Sequence, residues 1–267
     1  MSIETKTFNT VTYLSSDLLA VPHGFTTRVG GVSTGILSSL NLGFHRGDLD
    51  ENIAENYRRL GDALGFDPKH CVLTRQTHSD IVRVVGTGDC AGLDHRNYPE
   101  CDGLVTNTPG LALVIFTADC TPLLFWDPVT GAVGAAHAGW RGTVAKIGAK
   151  TVKTMVDAFG CDPKNIRAAI GPNIGLCHFE TDGDVPEAVL AAYGDQAKPY
   201  IRRRGEKFHL DLKAINALSL REAGVARIDI SDACTYCQHE TFWSHRYTRG
   251  DRGSQGAVIV CTKEVDV

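Results

Sequence analysis

No stretch of the 267-residue chain approaches the roughly 18 consecutive apolar residues that a membrane-spanning helix needs. A membrane-spanning helix is therefore not expected. Basic excess is missing too. Lysine and arginine number 27 against 31 acidic residues, a net charge of −4 that argues against a nucleic-acid-binding surface. The short Arg202-Arg203-Arg204 run reads as a solvated loop rather than a polyanion site. Repeats, low-complexity tracts and flexible linkers are absent, so one compact unit with mixed sheets is the simplest architecture. The N-terminus lacks the basic, apolar and small-residue segments of a secretory leader, so a cytoplasmic location is expected.

The nine cysteines, at 71, 90, 101, 120, 161, 177, 234, 237 and 261, are odd in number and irregular in spacing. A chain this long buries enough apolar surface without disulfides. The expectation is a reducing compartment with most thiols acting as small hydrophobes. Cys234-Thr-Tyr-Cys237 has redox or zinc-knuckle spacing. It has no second CxxC and no evident helix start, so it reads as a pair of core or near-core thiols.

What the chain does contain is organised around Thr117 to Thr143. Thr121 to Trp126 is an apolar strand, Asp127 to Gly131 is turn chemistry, and Ala132 to His137 is a second strand of small residues. Folding this hairpin about Pro128-Val129 sets Cys120 across from His137 or Ala138, at the roughly 5 Å of cross-strand neighbours. A thiol beside an imidazole fits either a metal site or a Cys–His nucleophile, against the plain alternative of a buried thiol near an unrelated histidine.

Elsewhere, Phe8 to Leu14 reads as a strand, and Asp50 to Leu64 as a helix capped by Asp50 and stopped by Gly65. Val72 to Thr74 and Ile81 to Val85 read as strands flanking a polar turn that holds His78. A lone histidine there is ordinarily a hydrogen-bonded loop residue. The short polar turn nonetheless makes His78 the first choice for a third ligand. Val144 to Phe159 reads as one amphipathic helix whose N-terminal N–H groups face the Cys120/His137 corner. Three ligands leave a zinc ion one open position, the mark of a catalytic rather than a structural site. Arg28 lies in a Gly/Ser/Thr-rich loop suited to anions. The helix start at Arg141-Gly142 likewise suits a phosphate or a substrate oxygen. Asp119, next to Cys120, is either a group that orients or exchanges protons, or a strand-end carboxylate bonding backbone N–H groups.

The strings Thr117-Ala-Asp-Cys120-Thr-Pro and Ala136-His137-Ala-Gly-Trp-Arg-Gly142 resemble the signature of the YfiH/YlmD family. That family carries the labels laccase-domain, polyphenol oxidase and zinc-dependent purine nucleoside phosphorylase. Further resemblances follow in order: Gly24-Phe-Thr-Thr-Arg28, Ser39-Leu-Asn-Leu-Gly43, Gln76-Thr-His78, Gly171-Pro-Asn-Ile-Gly175 and Phe242-Trp-Ser-His-Arg246. The resemblance implies an α+β fold of four layers, with helices outside two packed mixed sheets, in a single domain over 1–267. It implies zinc on His78, Cys120 and His137. It also implies phosphorolysis of adenosine, inosine and methylthioadenosine, a side activity that deaminates adenosine, and a role in editing cell-wall precursors. The partners are then a nucleoside and phosphate, with Arg28, Arg141 and Arg246 the candidates for holding the phosphate. Where the family reads Thr-Gly-Arg, this chain has Arg252-Gly-Ser254, which leaves Arg249 or Arg252 to replace that arginine.

Three other readings compete. A copper-dependent polyphenol oxidase of the multicopper kind uses His-x-His pairs, and none occurs among the ten histidines. A metal-free hydrolase would use Cys120 as nucleophile and His137 as base. A purely structural zinc would need a fourth ligand, with Cys101 and His45 the first to consider.

Overall fold

Strands with both faces buried need apolar residues at every position, and the long apolar runs of this sequence become such strands. The computed structural model describes residues 3–44, 46–90, 93 and 98–262. Among these residues the strands are β1 (Ile3–Phe8), β2 (Val11–Ser16), β3 (His23–Thr26), β4 (Cys71–Val72), β5 (Val82–Val84), β6 (Gly103–Thr106), β7 (Ala112–Thr117), β8 (Thr121–Trp126), β9 (Val133–Ala138), β10 (Arg167–Ile170), β11 (Glu180–Thr181), β12 (Ile201–Arg204), β13 (Lys207–Leu210), β14 (Arg227–Ile230) and β15 (Gln255–Val260). The α-helices are α1 (Asp50–Leu64), α2 (Trp140–Val144), α3 (Ile147–Phe159), α4 (Asp184–Tyr193), α5 (Leu212–Glu222) and α6 (His245–Thr248).

Two six-stranded sheets form, in the orders β1-β2-β3-β15-β7-β4 and β14-β10-β8-β9-β6-β5. Both are mixed: β4 is parallel to β7, β5 to β6 and β10 to β14, among otherwise antiparallel neighbours. A small third sheet runs β11-β13-β12.

The alternation of side chains explains the layers. On β7, Leu113 and Ile115 enter the core between the sheets, while Ala112 and Val114 face α1. On β8, Leu124 and Trp126 point between the sheets, while Leu123 and Phe125 face α3 and α5. Each fully buried side chain of this size contributes roughly 1.5–3 kcal/mol. The result is the expected α+β order of helix, sheet, sheet, helix. Helix α1 buries Ile53, Tyr57, Leu60 and Leu64 and ends at Gly65, whose φ of 72° makes it a left-handed cap.

Several local expectations need correction. Phe8 to Leu14 is not one strand but the bend of a hairpin, with Asn9 at φ 52° in its two-residue turn. Leu49, not Asp50, is the N-cap of α1, and Asp50 opens its first turn. Val72 and Val82 belong to different sheets, so the His78 segment crosses between sheets instead of turning within one. The expected helix from Val144 is broken at Lys146, which takes φ 58°. Arg202, Arg203 and Arg204 lie on β12, paired with β13 and pointing largely to solvent.

Candidate metal centre and its cavities

The hairpin register follows from its turn. Asp127 N–H reaches Ala132 O at 2.9 Å, and Gly131 takes φ 73°, which suits glycine. The hairpin is therefore centred between Val129 and Thr130. Thr121 pairs with Ala138 and Pro122 with His137. Cys120 thus falls one position beyond the strand pair, opposite Gly139, not opposite His137 or Ala138. A Cβ at Gly139 would stand 3.3 Å from Cys120 Sγ and 2.7 Å from His78 Cδ2. Only a residue without a side chain leaves room for both.

His78, Cys120 and His137 nonetheless converge. Their ligand atoms all lie within 4.8 Å of one another. Cys120 Sγ is 3.8 Å from His78 Nε2, and the two imidazole rings meet edge to face at 5.0 Å between centroids. His137 is buried, Cys120 partly buried and His78 exposed, so the group has one open side.

Asp102 organises this geometry, and reasoning from sequence missed it. It is fully buried and accepts from Thr77 N–H at 3.1 Å, His78 N–H at 3.1 Å, Ser79 N–H at 2.8 Å and Ser79 Oγ at 2.7 Å. It also accepts from His137 Nδ1 at 2.7 Å. That bond leaves His137 Nε2 as the atom able to bind a metal. Asp102 stands just before β6, all of whose residues are buried, and a buried carboxylate must be paired. Burial works against its charge, but the bonds from His137 and Ser79 outweigh this and bring its pKa down to about 2. Burial likewise opposes a Cys120 thiolate, yet His137 and His78 draw its pKa down to about 6. His137 is raised to about 9 against burial by Cys120 and Asp102. Thiolate and imidazolium stabilise each other here. This donor set, one thiolate and two imidazoles at separations compatible with metal–ligand bonds of about 2.0–2.3 Å, fits zinc.

Two cavities meet at the group. One of about 300 Å³ has Phe44, Tyr98 and Phe116 as aromatic walls and Arg46 and Arg252 at its edge. The other, of about 260 Å³, is lined by Trp140, Arg141, Phe179, His245 and Arg246. His78, Cys120 and Arg252 line both. Arg252 reaches Ser254 Oγ at 3.1 Å, while its Nε is buried without a partner. Burial, then Arg46, lowers its pKa to about 10, which still leaves it cationic at neutral pH.

The other predicted residues divide. Arg141 and Arg246 line the second cavity, and Arg246 also donates to Glu180 O at 3.0 Å. Arg28 does not line either cavity. Its guanidinium stacks on Trp243 at 3.9 Å and donates to Ser38 O and His239 O. Arg249 caps α6 with φ 56° and lines neither cavity. Asp119 accepts from Thr235 Oγ1 and from Arg246 N–H, both at 2.6 Å, which favours the strand-end carboxylate. Cys101 lies in the core between the sheets and not among the three donors, and His45 lies outside the described residues. The helix that follows the corner directly is the five-residue α2 (Trp140–Val144), and α3 starts only at Ile147. The CxxC thiols are not both core residues: Cys234 is buried, but Cys237 is exposed and meets Cys177 and His178.

Known proteins share this arrangement of elements. A family model described as multi-copper polyphenol oxidoreductase laccase matches residues 22–262. A Deinococcus radiodurans protein named purine nucleoside phosphorylase is 43% identical over 244 residues, 90% of this chain and 89% of that one. Purine nucleoside phosphorylase YfiH of Escherichia coli is 37% identical over 222 residues, 83% of this chain and 86% of that one. The crystal structure of YlmD from Geobacillus stearothermophilus superposes with a TM-score of 0.92 at 33% identity, covering 98% of this chain and all of that one. With likeness in sequence and fold spanning nearly the whole chain, the protein belongs to the laccase-like family of YfiH and YlmD.

Proposed function

We propose that the chain is a zinc-dependent purine nucleoside phosphorylase acting where the two cavities meet. The observation that carries this is a three-donor group opening onto arginine-edged cavities, in a chain whose relative at 43% identity bears that name. His78, Cys120 and His137 hold the ion, which supplies Lewis acidity when bound. Asp102 keeps the Nδ1 proton of His137 in place and holds the backbone of the His78 turn.

The remaining roles fall to side chains around the cavities. Arg252 and Arg46 bind phosphate, with Arg252 acting from a partly buried position where its charge is weakly screened. Arg141 and Arg246 place positive charge in the second cavity, which Arg252 also lines. Phe44, Tyr98 and Phe116 pack against the purine. A phosphate oxygen attacks ribose C1′ as the bond from C1′ to the base breaks, and the oriented phosphate offsets positive charge developing on the sugar. Adenosine, inosine and methylthioadenosine are the substrates, and exchange of the adenosine amino group for water is a side activity. Among the described residues no helix is long and apolar enough to cross a membrane.

Two imidazoles and a thiolate also suit copper, as the family description suggests. Copper sites of that type add a weak axial ligand, a methionine or else a glutamine or backbone oxygen. Met155 cannot supply it, being fully buried beside Gly134. Incubation with adenosine, with and without phosphate, tests the proposal. Adenine and ribose 1-phosphate forming only with phosphate is the expected result. Absence of both adenine and inosine at high enzyme concentration sinks it. Metal analysis of protein purified without added copper separates zinc from copper.

A further inference from the structure

The sequence places Cys177 and His178 after β10 and the Cys234-Thr-Tyr-Cys237 pair after β14, and β10 and β14 are parallel neighbours. Both segments therefore leave the sheet at the same end. They are stitched together by Thr235 N–H to Asn173 O at 2.9 Å. The four side chains converge, and their ligand atoms all lie within 4.8 Å of one another. Cys177 Sγ is 3.5 Å from Cys234 Sγ and 3.6 Å from Cys237 Sγ. Cys237 Sγ is 3.3 Å from His178 Nδ1.

We infer that Cys177, His178, Cys234 and Cys237 form a second, closed zinc site, separate from the His78 group. Zinc–sulfur bonds of about 2.3 Å and zinc–nitrogen bonds of about 2.0–2.1 Å, arranged tetrahedrally, set sulfur–sulfur edges near 3.8 Å and sulfur–nitrogen edges near 3.5 Å. The observed edges of 3.5, 3.6 and 3.3 Å lie close to those of such a tetrahedron. Three cysteines and one histidine are a structural-zinc donor set, with no position left for substrate.

The surroundings fit a thiolate cluster. Gly175 N–H donates to Cys234 Sγ at 3.2 Å, and the Cys237 backbone N–H points to the same sulfur. Such bonds stabilise negative charge on sulfur. The His178 ring is held by stacking on Tyr236, 4.0 Å between centroids. The buried Lys213 ammonium, bonded to Ala233 O at 3.0 Å, places positive charge beside a site whose net charge with zinc is −1. A disulfide would use two of the three thiols and leave the third, and the aligned imidazole, without a role.

The site also explains how Asp119 is held. Ile174 N–H donates to Asp119 O at 2.9 Å, Thr235 Oγ1 to its carboxylate, and Arg246 to His178 O. An ion joining the two segments would hold the wall of the second cavity. Its role is to position, and it takes no part in the reaction.

Metal content per chain, measured on protein purified without chelator, tests this independently of whichever ion occupies His78, Cys120 and His137. The Cys120→Ser variant leaves the new site untouched and is expected to retain one zinc. X-ray absorption at the zinc edge of that variant should show three sulfur neighbours and one nitrogen. Cobalt in its place should give intense thiolate charge-transfer absorption. Adding C177S and C237S should remove that last equivalent of metal. A zinc-free Cys120→Ser variant that remains folded overturns the proposal. So does recovery, under non-reducing conditions, of a peptide with Cys177 joined to Cys234 or Cys237 from the wild-type chain.

Discussion

Asp102 Oδ1 lies 2.7 Å from His137 Nδ1, and neither residue is appreciably exposed. Through the same carboxylate the His78 turn is tied down by three backbone N–H groups. One buried anion thus orients two of the three donors. Asp102→Asn presents an amide where His137 needs an acceptor and lets the ring adopt the other tautomer. Metal affinity should fall by about 10- to 100-fold. Competition with a chromophoric chelator measures this, and unchanged affinity would refute the role.

Gly139→Ala tests the packing of the centre without touching a donor. The new methyl would crowd His78 Cδ2 at 2.7 Å. Gly139 has φ −64°, so the backbone tolerates alanine. His78 is exposed and can give way at little cost to the core. Metal affinity is expected to drop at least about 10-fold while the melting temperature moves by only a few degrees, as calorimetry and metal titration will show.

The arginines are expected to separate cleanly. Arg252→Ala should raise KM for phosphate by about 10-fold or more, since a charge-assisted bond to the anion is worth roughly 1.5–3 kcal/mol. Arg249→Ala should leave it unchanged. Arg28→Ala should cost about 1–3 kcal/mol of stability through lost carbonyl bonds and stacking on Trp243, with little effect on KM. A large KM effect from Arg28 would reverse this assignment.

His23 gives a pH dependence away from the metal centre. Burial opposes its charge and lowers its pKa from 6.5, and its ring accepts from Ser16 N–H at 2.9 Å. The unfolded chain takes up this proton near pH 6.5, whereas the folded chain does so only at lower pH. The stabilisation is therefore complete above that value and lost as pH falls below it, by up to about 1.4 kcal/mol per unit. Urea unfolding of His23→Gln should show a shallower loss between pH 6.5 and 5 than the wild type. Equal slopes would show that His23 does not carry the effect.

Much of the site was legible without coordinates. Cys120 and His137 flank one hairpin, so their proximity follows from local turn chemistry, although the register slipped because Gly131 lengthens the turn. The helix break at Lys146 left no trace, since neither glycine nor proline marks it and the apolar period runs on. The role of Asp102 was hidden for another reason: its partners lie on the His78 turn and on β9, distant in sequence.

The sequence alone determined the apolar runs that become β7 and β8, the α1 helix with its glycine stop, and the donor types available. Those depend on period and turn residues within a few positions. Only the tertiary structure decided that Val72 and Val82 part into different sheets, that Arg252 lines the cavities while Arg249 and Arg28 do not, and that Cys177, His178, Cys234 and Cys237 meet. Such outcomes turn on which strands pair and where each side chain can lose its water, and both are settled by contacts between segments far apart along the chain.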